Sequence, residues 1–158
     1  MTAAAGAGRT VSLLATASGV LALFAVADTI KPSSAAAIGE LKAMGITPVM
    51  LTGDNQATAE AIGREAGLTD IRGNLLPEDK LAAIQARQKQ YGATAMTGDG
   101  INDAPSLKAA DVGISVNNAA SVAKDSADLI LMHKELGDLV SGVVVGRQTF
   151  ANALKYLM

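Results

Sequence analysis

Short apolar runs alternate with helix-patterned stretches along most of this chain, and that alternation leaves few folds open to it. The runs at 21–27, 47–51, 93–96, 112–115 and 129–132 have the length and composition of strands, and 70–72 adds a short edge strand. Between them, 33–44, 56–66, 77–90, 102–109 and 119–124 carry helical patterns, bounded by breakers where a helix needs them. Pro32 and Ser33 open the first helix and Gly67 closes the second; Pro77 opens the third, with Glu78 and Asp79 where the helix dipole favours acids. This repeated alternation predicts an α/β fold, a parallel sheet flanked by helices on both faces.

The 158 residues are 49% apolar and 18% charged, enough apolar side chain for a core of ordinary domain size. A net charge of −2 gives no basic surface for nucleic acid, and two Tyr with two Phe leave few platforms for base stacking. The absence of cysteine excludes disulfides and thiolate metal sites, and His133, the single histidine, cannot form a histidine cluster. Near the N-terminus, Arg9 and the apolar stretch 11–27, ending Ala25-Val26-Ala27, have the layout of a secretory signal. Ala17-Ser18-Gly19 divides that stretch into 10–16 and 20–27, and two strands joined by a tight turn account for the same residues. The stretch is also too short and too interrupted for a membrane span of about 20 residues.

Leu136, Leu139, Val140, Val143, Val144, Phe150, Leu154 and Leu157 recur at helical spacing over roughly six turns. Such a helix could pack along the sheet. Its length, and Lys155 and Tyr156 near its end, of types found at membrane interfaces, read instead as a stalk leading towards a membrane.

Open parallel sheets place ligands at the carboxyl ends of their strands, where helix N-termini point free N–H groups inward. Two Gly-Asp turns fall there. In Leu51-Thr52-Gly53-Asp54-Asn55, Thr52 can donate its hydroxyl to a phosphate oxygen and Gly53 allows close backbone approach; equally, Asp54 or Asn55 could be the cap of the next helix. In Thr97-Gly98-Asp99-Gly100-Ile101-Asn102-Asp103, Asp99 and Asp103 suit an oxygen-ligated, partly hydrated Mg²⁺, and capping would need only one of them. Asn102 could hold the loop or a phosphate oxygen. Lys80, after Leu76-Pro77-Glu78-Asp79, could neutralise a phosphate, although alone it reads as a surface lysine.

In order and spacing, Thr52, Lys80, Asp99 and Asp103 resemble the second, third and fourth motifs of the haloacid dehalogenase superfamily. Its members transfer phosphoryl groups through an aspartyl phosphate, with Mg²⁺ offsetting the charge. The likeness is closer still to the phosphorylation domain of P-type cation-transporting ATPases. It rests on Leu51-Thr52-Gly53-Asp54-Asn55, Leu76-Pro77-Glu78-Asp79-Lys80 and the run from Thr97 through Asp103-Ala104-Pro105. Asp28-Thr29-Ile30-Lys31-Pro32, Ala110-Asp111-Val112-Gly113-Ile114-Ser115 and Ala127-Asp128-Leu129-Ile130-Leu131 extend it. Gly146-Arg147-Gln148-Thr149-Phe150 with Lys155-Tyr156-Leu157 resembles the approach to the fifth membrane span.

The resemblance implies a Rossmann-like, haloacid dehalogenase-like fold in which 1–19 is the end of a nucleotide domain, 20–134 the phosphorylation domain and 135–158 the stalk helix. It implies that Asp99 and Asp103 carry Mg²⁺, that Lys80 and Thr52 contact the phosphoryl group, and that Gly53 and Asp54 line the nucleotide side. ATP and the remainder of a cation transporter, its membrane spans, actuator and nucleotide domains, would be the partners, with this domain on the cytoplasmic side of a membrane. The spacing from Asn55 to Pro77 looks like heavy-metal transporters, whereas Ile114-Ser115-Val116 and the 149–156 tail look more like magnesium-type exporters.

One departure is large: no Asp-Lys-Thr-Gly-Thr run, the family's phosphorylated segment, occurs in the chain, and Ile30 stands where Asp28 would need a second acid or a Thr. The chain is therefore expected neither to phosphorylate itself nor to transport by itself. A free-standing phosphatase of the same superfamily would need an Asp-x-Asp strand, which is absent; a non-catalytic regulator or one half of a split pump fits the same residues. In this fold the nucleophile strand is central, between the strands ending at Thr52 and Asp99, so its loss exposes two sheet edges. Unless another strand fills the gap, the isolated chain is expected to be marginally stable or to associate, and a cooperative, monomeric melt would count against that.

Overall fold

The computed structural model describes residues 10–26 and 29–157, with side chains over 11–25 and 29–152. Asp28, the acid ahead of Lys31 and Pro32, lies outside the described residues, as do 1–9. The chain divides into two compact units, one ending at Leu75 and one beginning at Leu76.

In the first unit the apolar N-terminal stretch is a hairpin, because Gly19, at φ 145°, turns the chain where a side chain would be strained. Strand β1 (Thr10–Thr16) pairs antiparallel with β2 (Gly19–Val26), with a register shift at Leu14/Ala15. Leu13, Leu14, Leu21, Leu23 and Phe24 remain exposed, on both faces of the ribbon. Helix α1 (Pro32–Ala43) follows, burying Ala37, Ile38 and Leu41 on one face. Its end is set by Gly45 at φ 78°: Ile46 N–H reaches Leu41 O at 3.0 Å and Gly45 N–H reaches Lys42 O at 2.9 Å. Strand β3 (Val49–Leu51) then leads to α2 (Gln56–Glu65), which closes the same way at Gly67, with Leu68 N–H on Gly63 O at 2.7 Å. Strand β4 (Asp70–Arg72) runs parallel to β3. Gly63 lets α2 approach it: a Cβ there would lie 2.6 Å from Ile71 Cδ1.

The second unit opens with α3 (Pro77–Tyr91), which starts at a proline and has Asp79 accepting the Leu76 N–H at 3.0 Å. Strands β5 (Ala95–Thr97), β6 (Val112–Val116) and β7 (Leu129–Leu131) form a parallel sheet in the order β5-β6-β7. Between β5 and β6 lie a 3₁₀ turn (Ile101–Asp103) and α4 (Ala104–Ala109); between β6 and β7 lies α5 (Ser121–Asp125). The sequence suggests one helix over 102–109, and the structure tightens its first turn to 3₁₀ and starts the α-helix at Ala104, next to Pro105. Leu107 of α4, 1% exposed, is buried, as are Met96, Ile114 and Ala123. Gly113 admits α4 to β6, since a Cβ there would lie 2.6 Å from Leu107 O.

The parallel strands thus form two sheets, β3-β4 and β5-β6-β7. Helix α6 (Leu136–Leu157) ends the chain. Among its described side chains, Val140 is buried, Leu136, Leu139 and Val143 are half-buried, and Val144, Val145 and Phe150 are exposed. Among the described residues no helix is long and apolar enough to cross a membrane.

Two aspartates fasten the second sheet. Asp111 N–H donates to Thr94 O at 2.9 Å while Thr94 N–H donates to Asp111 Oδ2 at 2.7 Å. One strand further on, Asp128 N–H donates to Gly113 O at 2.8 Å and Gly113 N–H donates to Asp128 Oδ2 at 2.8 Å. The Thr94 N–H, then Gln88, whose Nε2 lies 3.1 Å away, hold the Asp111 carboxyl below the usual carboxylate range. A lowered folded-state value stabilises the native state above the unfolded value, near 4, and that contribution disappears as pH falls through the lowered one. Asp111→Asn is therefore expected to lower the urea midpoint at pH 7, and the gap from wild type should close as the pH is taken below about 4. A gap of constant size from pH 7 to 3 would show that charge on Asp111 is not what the clip uses.

Candidate functional site

Both Gly-Asp turns stand at the carboxyl ends of parallel strands, one in each unit. In the second unit, β5 ends at Thr97 and Gly98 N–H continues the ladder onto Ile114 O at 3.1 Å. The buried Ser115 hydroxyl donates to Gly98 O at 2.9 Å, and Ala120 N–H donates to Asp99 O at 3.0 Å, so the loop is pinned before and after its first acid. The chain then folds back. Asp103, at the end of the 3₁₀ turn, lies so close over Gly98 that a Cβ on residue 98 would be 2.7 Å from Asp103 Cβ and 2.9 Å from its Oδ2. Glycine at 98 is a steric condition for placing that carboxylate.

Asp103 uses both of its oxygens. Oδ1 accepts from Lys80 Nζ at 2.8 Å and Oδ2 accepts from Gly100 N–H at 3.1 Å. The Lys80 and Asp103 side chains are only 14% and 13% exposed, so this is a half-desolvated, charge-assisted pair in a loop that excludes most water. Lys80 reaches it from the first turn of α3. Asp99 is more open, and its Oδ2 accepts from Lys134 Nζ, a residue of the segment joining β7 to α6. Asn102 is exposed at the tip of the turn.

In the first unit, Thr52 N–H donates to Arg72 O at 3.0 Å and Thr52 O accepts from Leu75 N–H at 3.0 Å, which ties the turn after β3 to the end of β4 and the residues following it. The Thr52 hydroxyl donates to Asp54 Oδ2 at 2.9 Å and accepts from Asp54 N–H at 3.1 Å. Gly53 permits this turn to pass Leu75, whose carbonyl oxygen would be 3.3 Å from a Cβ. Of the two candidate caps for the next helix, Asn55 has the role: its Oδ1 accepts from Ala57 N–H at 2.8 Å, leaving Asp54 to Thr52.

The structure therefore gathers Lys80, Asp99, Asn102 and Asp103 at one end of the β5-β6-β7 sheet, and Thr52, Gly53 and Asp54 in one turn of the other unit. Lys134 was not expected. A lysine in a short connection before a helix has no sequence signature, and only the fold puts it against Asp99. Among the described residues there is no group of three His, Cys, Asp or Glu side chains poised for a metal ion. Two hard carboxylates do fit Mg²⁺, which binds through one or two such groups and completes its shell with water and phosphate oxygens.

Comparison with known proteins identifies the family. Residues 1–111 match the haloacid dehalogenase-like hydrolase family. The copper-exporting P-type ATPase of Bacillus subtilis (strain 168) is 43% identical over 145 residues, covering 92% of this chain and 18% of that protein. The zinc/cadmium/lead-transporting P-type ATPase of Escherichia coli (strain K12) is 44% identical over 146 residues, covering 92% of this chain and 20% of its own length. A zinc-transporting PIB-type ATPase of known structure superposes with a TM-score of 0.85 at 43% identity, over 96% of this chain and 25% of that one. A 3-deoxy-D-manno-octulosonate 8-phosphate phosphatase, with a TM-score of 0.67 and 19% identity, shares the fold alone. The chain thus spans about a fifth of the length of the curated relatives it matches. The chain belongs to the haloacid dehalogenase-like hydrolases and is homologous to the phosphorylation domain of P-type metal-transporting ATPases.

Proposed function

We propose that these residues are the phosphoryl-transfer machinery of an ATP-driven pump for a heavy-metal cation, operating on the cytoplasmic side of a membrane as part of a larger transporter. The observation that carries this is the Lys80–Asp103 pair, 2.8 Å apart, on the loop that also bears Asp99. Relatives named for copper and for zinc, cadmium and lead favour a heavy-metal cargo over a magnesium-type one.

Asp99 and Asp103 would hold Mg²⁺ through hard oxygen atoms. Held by these two carboxylates, it would supply positive charge to offset that of a phosphoryl group. Lys80 supplies a second positive charge from the first turn of α3, held in place by Asp103 until a phosphoryl oxygen competes for it. In its own unit, the Thr52 hydroxyl, bonded to Asp54 at 2.9 Å, is by family resemblance a phosphoryl contact of the intact transporter. Gly53 lets the backbone approach that group, Asp54 faces the nucleotide side, and Asn102 offers an amide from the tip of the turn. The carboxylate that accepts the phosphate is not among these 158 residues, since no Asp-Lys-Thr-Gly-Thr run occurs.

With γ-labelled ATP and Mg²⁺, acid-stable, hydroxylamine-sensitive label is expected only when a separately expressed segment carrying Asp-Lys-Thr-Gly-Thr is added. Lys80→Met should cut that label about a hundredfold or more. Labelling of this chain alone would sink the proposal. Gly98→Ala, which drives a methyl group into Asp103, should cost about 1–3 kcal/mol in urea unfolding and weaken Mg²⁺ binding in calorimetry. Unchanged Mg²⁺ affinity in a folded Gly98→Ala variant would remove Asp103 from the metal's ligands.

A further inference from the structure

Lys134 stands outside every role described above. It lies in the 132–135 segment between β7 and α6, and its ammonium is bonded to Oδ2 of Asp99. Around the loop, two carboxylates therefore face two ammonium groups, Lys80 on Asp103 and Lys134 on Asp99. That balance leaves no surplus negative charge for a divalent cation, and an ammonium on Asp99 Oδ2 covers one of the oxygens a metal would use. One lysine must yield. Lys80 and Asp103 are 14% and 13% exposed, and Asp103 is further fixed by the Gly100 N–H. Lys134 and Asp99 are 60% and 46% exposed, so water reaches both partners and separating them is the easier step.

We propose that Lys134 competes with Mg²⁺ for the Asp99 carboxylate, so that the cation's arrival releases the segment from which α6 starts. This rests on the assignment of Mg²⁺ to Asp99 and Asp103. Lys134 is a positioning residue: it neutralises Asp99 while the loop is metal-free and ties the root of α6 to that loop. The same root carries His133, whose Nδ1 lies 3.1 Å from Asp138 Oδ2, and Val140, the buried residue that docks the helix. Exchange of an ammonium for a cation at Asp99 therefore changes what holds the start of a 22-residue helix.

Mg²⁺ affinity measured by calorimetry on the 158-residue chain at low salt tests this. Lys134→Met should bind about fivefold tighter than wild type, Lys134→Arg should match wild type, and the gap should narrow as salt screens the charge. Lys89→Met removes the same charge from the far end of α3, roughly 13 Å along the helix from Lys80, and should leave affinity unchanged. In wild type, saturating Mg²⁺ should speed amide exchange over 138–140, the first bonded amides at the root of α6, and in Lys134→Met it should not. Equal affinities of wild type and Lys134→Met, or exchange that ignores Mg²⁺ in wild type, overturn the proposal while leaving the metal site standing. Absence of Mg²⁺ binding in every variant overturns the metal assignment together with it.

Discussion

Two carboxylates keep the β5-β6-β7 ladder in register, and everything at the carboxyl end of that sheet takes its position from them. Parallel strands have no hairpin turn to set their alignment, and their slanted bonds offer little protection against slippage. Asp111 and Asp128 supply that protection, each sitting one residue ahead of its strand and exchanging two hydrogen bonds with the preceding one. A slip by one residue would turn Met96 and Ile114 out of the core and move Gly98 O away from the Ser115 hydroxyl. The loop bearing Asp99 and Asp103 is thus anchored by two other acids, Asp111 and Asp128.

Asp103 is the corresponding fixed point within the loop. It is placed by a glycine that leaves room for it, held by a backbone N–H and paired with a lysine from another element, in a setting with little water. Asp99 has the opposite character, open to solvent and held by an exposed lysine. Two acids four residues apart in sequence therefore differ in how readily they exchange partners. Thr52 and Asp54 form a closed pair of their own, so that turn too is satisfied in the absence of ligand.

How much of this was legible depended on whether the signal was local. Strand and helix alternation, the proline starts at Pro32 and Pro77, and the glycine stop at Gly67 are encoded within a few residues, and the α/β fold follows from them. The Asp99–Asp103 loop and Lys80 could be picked out because motif order carries information that a single acid does not. Asn55 as the cap, with Asp54 left to Thr52, was one of two options that only side-chain direction could decide. The 3₁₀ turn at 101–103 was hidden inside a helical pattern, because the demand for it comes from Asp103 folding over Gly98. Lys134 was illegible, since its partner is 35 residues away and nothing nearby marks it. The apolar rhythm of α6 is real: along the described face it predicts, Leu136, Leu139, Val140 and Val143 are buried or half-buried, and Val144 and Phe150 are exposed.

The aspartate clips also bear on how this sheet comes into being. Each one joins a strand to the strand made just before it, never to one made later, and each closes a loop of only 17 or 15 residues. Every new strand emerging from the ribosome therefore finds a finished edge with its alignment already marked, and the contacts that close the sheet are short in sequence. Assembly can proceed as an ordered zippering from β5 to β7, with the loop bearing Asp99 and Asp103 enclosed when the first clip closes and the root of α6 delivered last.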